Sequence, residues 1–200
     1  MKNIQIYGAG LSGLTAAINL VKNGYNVTVY EKENGIGGSS KCHPSNHMTP
    51  MHIKKIQKYI GINIESSFSK LNTFKGYIGS KKYVFSTKNL FIVERGPRKS
   101  SLDYFLYKTA LKKGVNFEFL QPLTKEKLRI IPENSIIATA GYSQLVSSLD
   151  IPYTAFKQFN THIKTDIKDI TIAYFGDYTS DYGYISGKNG IGMWSMWDIR

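Results

Sequence analysis

The hydrophobic pattern at the start of the chain predicts a strand, a helix and a second strand. Residues 4–7 and 26–30 are short runs of β-branched and aromatic side chains, which are typical of strands. Between them, apolar residues recur every three or four positions, as on one face of a helix, and Gly24 ends the pattern. These apolar positions are Leu11, Leu14, Ala17, Ile18 and Val21. Because a helical crossover joins parallel strands, the pattern predicts a βαβ unit.

The pattern changes along the rest of the chain. Residues 34–50 are rich in Gly, Ser, Asn and Pro and predict a loop, and residues 51–59 predict a short helix. Residues 74–93 predict antiparallel strands with breaks at 79–81 and 88–89. The remaining predictions are a helix over 101–113, strands over 115–120 and 135–140, and antiparallel strands over 154–163, 170–175, 182–186 and 191–197. The order predicts an α/β fold with a parallel sheet and a second, mainly antiparallel sheet.

A glycine-rich motif, Gly8-Ala9-Gly10-Leu11-Ser12-Gly13, lies between the first predicted strand and the helix. The G-x-G-x-x-G pattern is weak alone, but its position after a strand and at the start of a helix makes it informative. Gly8 permits a tight turn, Gly10 leaves room for a pyrophosphate, and Gly13 allows close packing of the helix on the sheet. The helix N-terminus then favours the negative charge. The motif predicts a dinucleotide-binding site made by these six residues.

The acidic residue Glu31 ends the second predicted strand, about 20 residues after the motif, where a carboxylate accepts hydrogen bonds from ribose hydroxyls. A 2′-phosphate there would meet a like charge, at a cost of about 4 kcal/mol for a separation of ~4 Å and an effective dielectric constant of ~20. The sequence therefore predicts FAD or NAD rather than NADP. Glu31 and its neighbour Lys32 are included among the predicted cofactor-binding residues.

The segment after Glu31 distinguishes FAD from NAD. Its glycine pair, in Gly37-Gly38-Ser39, resembles the extended FAD fingerprint of the glutathione-reductase-like and p-hydroxybenzoate-hydroxylase-like flavoproteins. In those families the paired glycines let the loop pass close to the diphosphate or ribityl chain of the flavin. The resemblance implies FAD as the cofactor, a Rossmann-like FAD-binding parallel sheet, and contacts from Gly37, Gly38 and Ser39.

Several downstream segments resemble the geranylgeranyl reductase family. These segments are residues 91–98, 101–106, 110–115, 136–141, 182–185 and 190–192. The resemblance implies that Arg95, at a strand end, and Ala140 and Gly141, near the adenosine, contact FAD. It also implies hydride transfer from reduced flavin to a C=C bond of an isoprenoid or other apolar substrate, with an external electron donor. The second sheet then belongs to a substrate domain.

The chain departs from that family at two places. Ile185-Ser186 stands where the family's glycine–aromatic hairpin continues with Phe-Pro. Gly176-Asp177 is followed by Tyr178 rather than the small residue of the family's Gly-Asp-Ala motif, and no helical pattern follows. We interpret Gly176-Asp177 as part of the substrate sheet, which leaves the FAD site without its last motif; the alternative is that Gly176-Asp177 is that motif and completes the site.

The predicted domains are discontinuous. Residues 1–60 and 95–150 are assigned to the FAD-binding domain. Residues 61–94 and 151–200 are assigned to the substrate domain, which is expected to be incomplete.

Cys42 lies in the loop after the glycine pair. The reductase resemblance implies a thiol near the isoalloxazine here, so Cys42 is the predicted catalytic residue; the alternative is a small residue that packs in the loop. His43, His47 and His52 lie nearby, but their spacing fits no zinc pattern, and no metal is predicted.

Two other functions remain open at this point. A flavin oxidase, desaturase or mutase of the amine-oxidase type shares the double-glycine signature. A noncatalytic dinucleotide-binding fragment would account for the missing last motif. Retained flavin that a reductant bleaches and a substrate reoxidises would separate an enzyme from a fragment.

The composition indicates in which compartment the protein is expected and which partners it is expected to bind. A single cysteine excludes an internal disulfide, no apolar run reaches the about 20 residues that span a bilayer, and the N-terminus lacks a signal-peptide pattern. A cytoplasmic protein is therefore predicted. The net charge of +12 is spread over pairs such as Lys112-Lys113 without a nucleic-acid-binding motif, so no nucleic acid is expected. The alternative interpretation of the positive charge is that the protein makes peripheral contact with an anionic membrane.

Overall fold

A computed structural model describes residues 2–38, 43–139, 156–166, 170–176 and 182–199. In chain order its strands and α-helices are β1 (Asn3–Tyr7), α1 (Leu11–Lys22), β2 (Asn26–Tyr30), β3 (Ser45–Pro50), α2 (Ile53–Ile60), β4 (Phe68–Ile78), β5 (Lys81–Arg95), α3 (Leu102–Lys112), β6 (Asn116–Glu118), α4 (Lys125–Leu128), β7 (Ile136–Ile137), β8 (Phe156–Lys164), β9 (Ile170–Phe175), β10 (Gly183–Lys188) and β11 (Ile191–Ile199). A 3₁₀ turn at Glu65–Ser67 precedes β4.

The chain divides into two compact units, each made from separate segments. Unit 1 comprises Met1–His43, Ile60–Ile62 and Gly96–Tyr153, and unit 2 comprises Pro44–Tyr59, Asn63–Arg95 and Thr154–Arg200. Residues 44–59, which the sequence assigned to the FAD-binding domain, lie in unit 2. They do so because β3 pairs with β5 of the second sheet.

Unit 1 contains the predicted βαβ arrangement. Its four strands are all parallel and have the order β6-β2-β1-β7. The apolar face of α1 is buried through Leu14 and Ile18, and Ile6 and Val29 from the sheet are also fully buried. Helix α3 packs beside α1. The parallel sheet predicted from the hydrophobic periodicity is confirmed.

Unit 2 contains a seven-stranded sheet of order β3-β5-β4-β9-β10-β11-β8. Its pairs are antiparallel except β4 with β9, which is parallel. The sheet curls, since β3 at one edge contacts β10 and β11 near the other. Two apolar clusters pack on it: Leu71, Leu90 and Ile92 in one, and Ala173, Tyr184 and Met193 in the other. The predicted mainly antiparallel sheet is therefore confirmed.

One prediction about local structure is wrong, and a second is confirmed only as an irregularity in strand pairing. Residues 45–50 form β3 rather than a loop, because β5 supplies a strand with which their backbone groups pair. The predicted break at residues 88–89 does not end β5, which runs from Lys81 to Arg95, but the pairing with β4 shifts there. Leu71 pairs with Leu90 and Thr73 with Ser86, which leaves residues 87–89 opposite a single residue of β4. The N–H of Met51 donates to the carbonyl of Asn89 at 2.8 Å, which extends the pairing of β3 with β5.

Within the described parts of the chain, no helix has the length and apolar character that a membrane span requires.

Candidate functional site

The turn at Gly8 is held between three strands of unit 1. The Gly8 N–H donates to the carbonyl of Tyr30 at 2.7 Å, and the Ala138 N–H donates to the carbonyl of Tyr7 at 2.7 Å. Gly8 has a φ of +108°, a conformation that side chains disfavour. A Cβ on Gly8 would lie 2.4 Å from the carbonyl oxygen of Ala138. Only glycine fits this turn.

The other two glycines of the motif differ in their surroundings. A Cβ on Gly13 would lie 2.0 Å from the carbonyl oxygen of Gly8, so its absence lets α1 pack directly on the turn. Gly10 is the N-cap of α1, with an ordinary φ of −77° and no side-chain cap. Apart from its chain neighbours and the helix backbone, no atom of the described residues lies within 4 Å of a Cβ built on Gly10. Among these residues, the space in front of the first turn of α1 is therefore open.

Glu31 connects the glycine turn to the end of β2. Its side chain is 8% exposed, and its Oε2 accepts the Ala9 N–H at 2.7 Å. Its Oε1 accepts the Glu33 N–H at 3.0 Å. A carboxylate offers about four acceptor positions, so both oxygens retain capacity for a further donor. The carboxylate thus orients the turn and still presents acceptors beside it.

Lys32 and Arg95 lie in different surroundings. Lys32 is largely exposed, and its Nζ lies 3.7 Å from Oε1 of Glu33. Arg95 is the last residue of β5 and belongs to unit 2. The predicted contacts of these two side chains with a cofactor stay predictions. Of the other predicted site residues, Ser39, Cys42, Ala140 and Gly141 lie outside the described residues.

The glycine pair after β2 has the backbone conformation that glycine alone adopts readily. Gly37 and Gly38 have φ values of +94° and +74°. A Cβ on Gly37 would lie 2.3 Å from the carbonyl carbon of Gly96 and 2.4 Å from the nitrogen of Pro97. The loop therefore passes directly against the segment that leads into α3.

The start of α3 holds this second segment in place, a feature that the sequence analysis missed. The Gly96 N–H donates to Oδ2 of buried Asp103 at 3.0 Å, and the Ser101 hydroxyl donates to the Gly96 carbonyl. Ser101 also caps α3, accepting the Tyr104 N–H at 3.0 Å. A Gly-Pro pair shortly before a capping serine is the sequence signal for such a helix start.

An aromatic pair flanks the glycine turn and Glu31. The rings of Tyr7 and Tyr30, the last residues of β1 and β2, stack with centroids 5.1 Å apart. The Nζ of Lys127 lies 5.9 Å and 5.5 Å from these two centroids, in cation–π range. Burial raises the pKa of both tyrosines, repulsion from Tyr30 raises the pKa of Tyr7 further, and repulsion from Glu118 raises the pKa of both. Both phenols therefore stay protonated at neutral pH.

The histidines near the loop form no metal site among the residues described. No three His, Cys, Asp or Glu side chains of those residues are close enough together to hold an ion. The ring of His43 lies close to Gly38, and Nε2 of His47 lies 2.9 Å from the Ser45 hydroxyl.

Unit 1 has the geometry of a Rossmann-like dinucleotide-binding unit, and unit 2 contains a large mixed sheet. Residues 6–55 match the family described as NAD(P)-binding Rossmann-like domain. A 44-residue segment is 46% identical to 4,4′-diaponeurosporene oxygenase of Staphylococcus aureus strain USA300. It represents 22% of this chain and 9% of that oxygenase.

Several solved structures share the fold over almost all of the chain. FqzB superposes with a TM-score of 0.73 at 17% identity and covers 100% of the chain. CtdE in complex with FAD and a substrate has a TM-score of 0.71 at 13% identity, and 2-methyl-3-hydroxypyridine-5-carboxylic acid oxygenase has 0.66 at 15%. The chain spans 53%, 57% and 59% of these proteins, respectively. The similarity confirms the predicted fold class.

Proposed function

We propose that unit 1 binds FAD and that the chain is the FAD-binding part of a flavin-dependent oxidoreductase. The observation that carries this proposal is the hydrogen bond of 2.7 Å between the Ala9 N–H and the Glu31 carboxylate. It places an acceptor for ribose hydroxyls beside a glycine turn whose front is open at Gly10. The N-terminus of α1, where the helix dipole favours negative charge, would hold the pyrophosphate.

The second glycine pair supports FAD rather than NAD. The loop bearing Gly37 runs in contact with Gly96, so unit 1 has a further backbone segment for the longer flavin nucleotide. The solved structure of the similarly folded CtdE contains FAD. The buried carboxylate of Glu31 disfavours the 2′-phosphate of NADP by charge repulsion. In this proposal the remaining predicted contacts come from Leu11, Ser12, Lys32, Ser39, Arg95, Ala140 and Gly141.

FAD, when bound, supplies the hydride chemistry, and the protein binds and orients it. We propose a small apolar substrate, with reduction of a C=C bond in an isoprenoid as the reaction and an external electron donor. The geranylgeranyl reductase resemblance supports this reaction. Cys42 is the proposed catalytic residue. Because an apolar isoprenoid partitions into lipid, the proposal includes peripheral contact with a membrane surface.

Oxygenation of an apolar substrate is the second candidate reaction. It is favoured by the 46% identity to 4,4′-diaponeurosporene oxygenase. That identity extends over only 44 residues, within the length of one βαβ unit and its following loop. It therefore supports a shared nucleotide-binding mode more strongly than a shared reaction.

The absorption spectrum of the purified 200-residue chain, reconstituted with FAD, tests the proposal. We expect saturable FAD binding, with a shift of the flavin bands, and much weaker binding of NAD. Anaerobic reduction followed by addition of an isoprenoid alkene, with or without oxygen, then separates the two reactions. Equal affinity for FAD and NAD, or none for FAD with the fold intact, would overturn the assignment.

A further inference from the structure

The β4–β5 hairpin contains a concentration of positive charge. The hairpin, residues 68–95, contains five lysines, Arg95 and one acidic residue, Glu94, giving +5 over 28 of the 200 residues. An even distribution of the net +12 would put about two charges there. The lysines are Lys70, Lys75, Lys81, Lys82 and Lys88. The hairpin therefore carries more positive charge than the average composition of the chain accounts for.

The end of the same hairpin exposes large apolar side chains. Ile78 is 59% exposed, Val84 56%, Phe85 52% and Tyr83 41%. Strand β9 pairs beside β4, with Phe175 opposite Ile78, and the side chain of Phe175 is also exposed. Exposed apolar residues in one place indicate a contact surface. We call residues 75–85 the hairpin tip.

The exposed residues lie on both faces of the hairpin tip. Ile78 pairs with Lys81, and Tyr83 and Phe85 follow on the same face by strand alternation. Stacking of the Tyr83 and Phe85 rings, with centroids 6.5 Å apart, agrees with this assignment. The opposite face contains Val84, whose cross-strand partner is Lys75, and also Lys82. Each face thus combines apolar and cationic side chains.

A flat protein partner would cover only one of these faces, whereas a lipid interface surrounds an inserted tip on both. Tyrosine and other aromatic rings favour the headgroup region, and lysines bind anionic headgroups from there. We propose that the hairpin tip inserts into the surface of an anionic membrane. The inference rests on the proposed function for its biological setting, since an apolar substrate is met at a lipid surface. Its physical basis is independent of flavin binding.

Partitioning of the 200-residue chain onto vesicles tests this inference. The vesicles contain phosphatidylcholine alone, or with one third replaced by phosphatidylglycerol. We expect binding to the anionic vesicles only. A lysine near such a surface contributes about a fivefold gain in partitioning, so Lys81→Gln with Lys82→Gln weakens binding about twenty- to thirtyfold. The matched control is Lys112→Gln with Lys113→Gln, an exposed pair on and after α3 with the same change in net charge.

A second variant separates insertion from adsorption by charge. Ile78→Ser with Val84→Ser keeps every lysine and changes two largely exposed side chains, so the fold is retained in circular dichroism. We expect this variant to bind anionic vesicles at low salt and to dissociate at a salt concentration that the unchanged protein withstands, because insertion is lost.

Several outcomes would overturn the inference. Equal losses from the two lysine pairs would mean that net charge alone drives adsorption. Failure of the unchanged protein to bind anionic vesicles would exclude the membrane. Equal binding to neutral vesicles would overturn the proposed role of the lysines and of anionic headgroups. Tighter binding of a single-stranded oligonucleotide, dependent on Lys81 and Lys82 but insensitive to Ile78 and Val84, would make the tip a nucleic-acid surface. FAD titration of the same variants keeps failure of this inference distinct from failure of the flavin assignment.

Discussion

Glu31 has two roles in the geometry of unit 1. One is structural, because its carboxylate accepts the N–H groups of Ala9 and Glu33 and so fixes the glycine turn relative to β2. The other is the proposed recognition of ribose, which uses the acceptor capacity that those two bonds leave. A substitution that removes the carboxylate affects both roles, so ligand affinity and stability must be measured together.

Glu31→Ala is expected to weaken FAD binding by about 1–3 kcal/mol, because hydrogen bonds to the carboxylate are lost. It also leaves two backbone donors without their partner, so the midpoint of thermal unfolding falls. Glu31→Gln retains one acceptor oxygen and is expected to have an intermediate affinity. Titration of the apo-protein with FAD, beside a thermal scan, measures both effects. Unchanged affinity in a folded Glu31→Ala protein would remove Glu31 from the cofactor site.

Gly10 and Gly13 make a matched pair for separating binding from folding. Gly10→Val places its side chain in open space with an allowed φ, so the secondary structure is expected to persist while cofactor binding is lost to steric overlap with the pyrophosphate. Gly13→Val places a Cβ 2.0 Å from the Gly8 carbonyl and is expected to destabilise unit 1 by about 1–3 kcal/mol or more. Circular dichroism and titration of the apo-protein with FAD are the two readouts. A Gly10→Val protein that binds FAD with the affinity of the unchanged protein would contradict the site.

At the scale of elements, the start of α3 is coupled to the loop after β2. The Ser101 hydroxyl donates to the carbonyl of Gly96, and the Asp103 carboxylate accepts the N–H of Gly96. Gly96 in turn leaves no room for a side chain on Gly37. The N-terminus of one helix therefore helps to fix the path of a loop that lies far away in the sequence.

Ser101→Ala is expected to destabilise the protein by about 1–2 kcal/mol, since it removes the cap of α3 and a bond to Gly96. Thr124→Ala is the matched control, because Thr124 also caps a helix by accepting a backbone N–H, that of Lys127 at 3.2 Å. Helix α4 has only four residues and an exposed cap, so a loss of less than about 0.5 kcal/mol is expected there. Chemical denaturation compares the two. Equal effects would show that Ser101 acts only as an ordinary cap.

At the scale of the whole molecule, the pairing of β9 with β10 bears on whether Gly176 belongs to the sheet of unit 2 or to the FAD site. Gly176 directly follows β9, and β10 pairs antiparallel with β9 in the sheet of unit 2. Among residues 182–199 there is no helix that could follow a Gly-Asp motif. This supports the interpretation of Gly176 as part of the substrate sheet, with Asp177 outside the described residues.

We therefore expect FAD to be held weakly and to dissociate from the 200-residue chain during gel filtration. Asp177→Ala is expected to leave FAD affinity unchanged, because the connection between two sheet strands does not reach the ribityl chain in this interpretation. The flavin-to-protein absorbance ratio of the eluted peak is the measurement. Stoichiometric FAD that is retained, and then lost on Asp177→Ala, would show that Gly176-Asp177 completes the site.

The sequence by itself determined the glycine turn and its surroundings. The period of the apolar residues, the glycines and the acidic residue at the end of β2 all lie within the first 38 residues, and each signal acts on neighbouring backbone. The positive φ of Gly8 and the exclusion of a Cβ at Gly13 by the Gly8 carbonyl involve only neighbouring residues, so a local pattern was sufficient for them. The additional clash of a Gly8 Cβ with the Ala138 carbonyl depends on the tertiary structure. The antiparallel strands of unit 2 were also predicted, because alternation and turn residues are local.

Only the tertiary structure decided which distant segments meet. Strand β3, with Asn46, His47 and Pro50, has no strand pattern of its own and forms because β5 offers it a partner. The parallel pairing of β4 with β9 and the contact of Gly37 with Gly96 likewise join segments far apart in the chain. Such contacts depend on packing and backbone pairing over the whole fold, so the sequence of one short segment does not specify them.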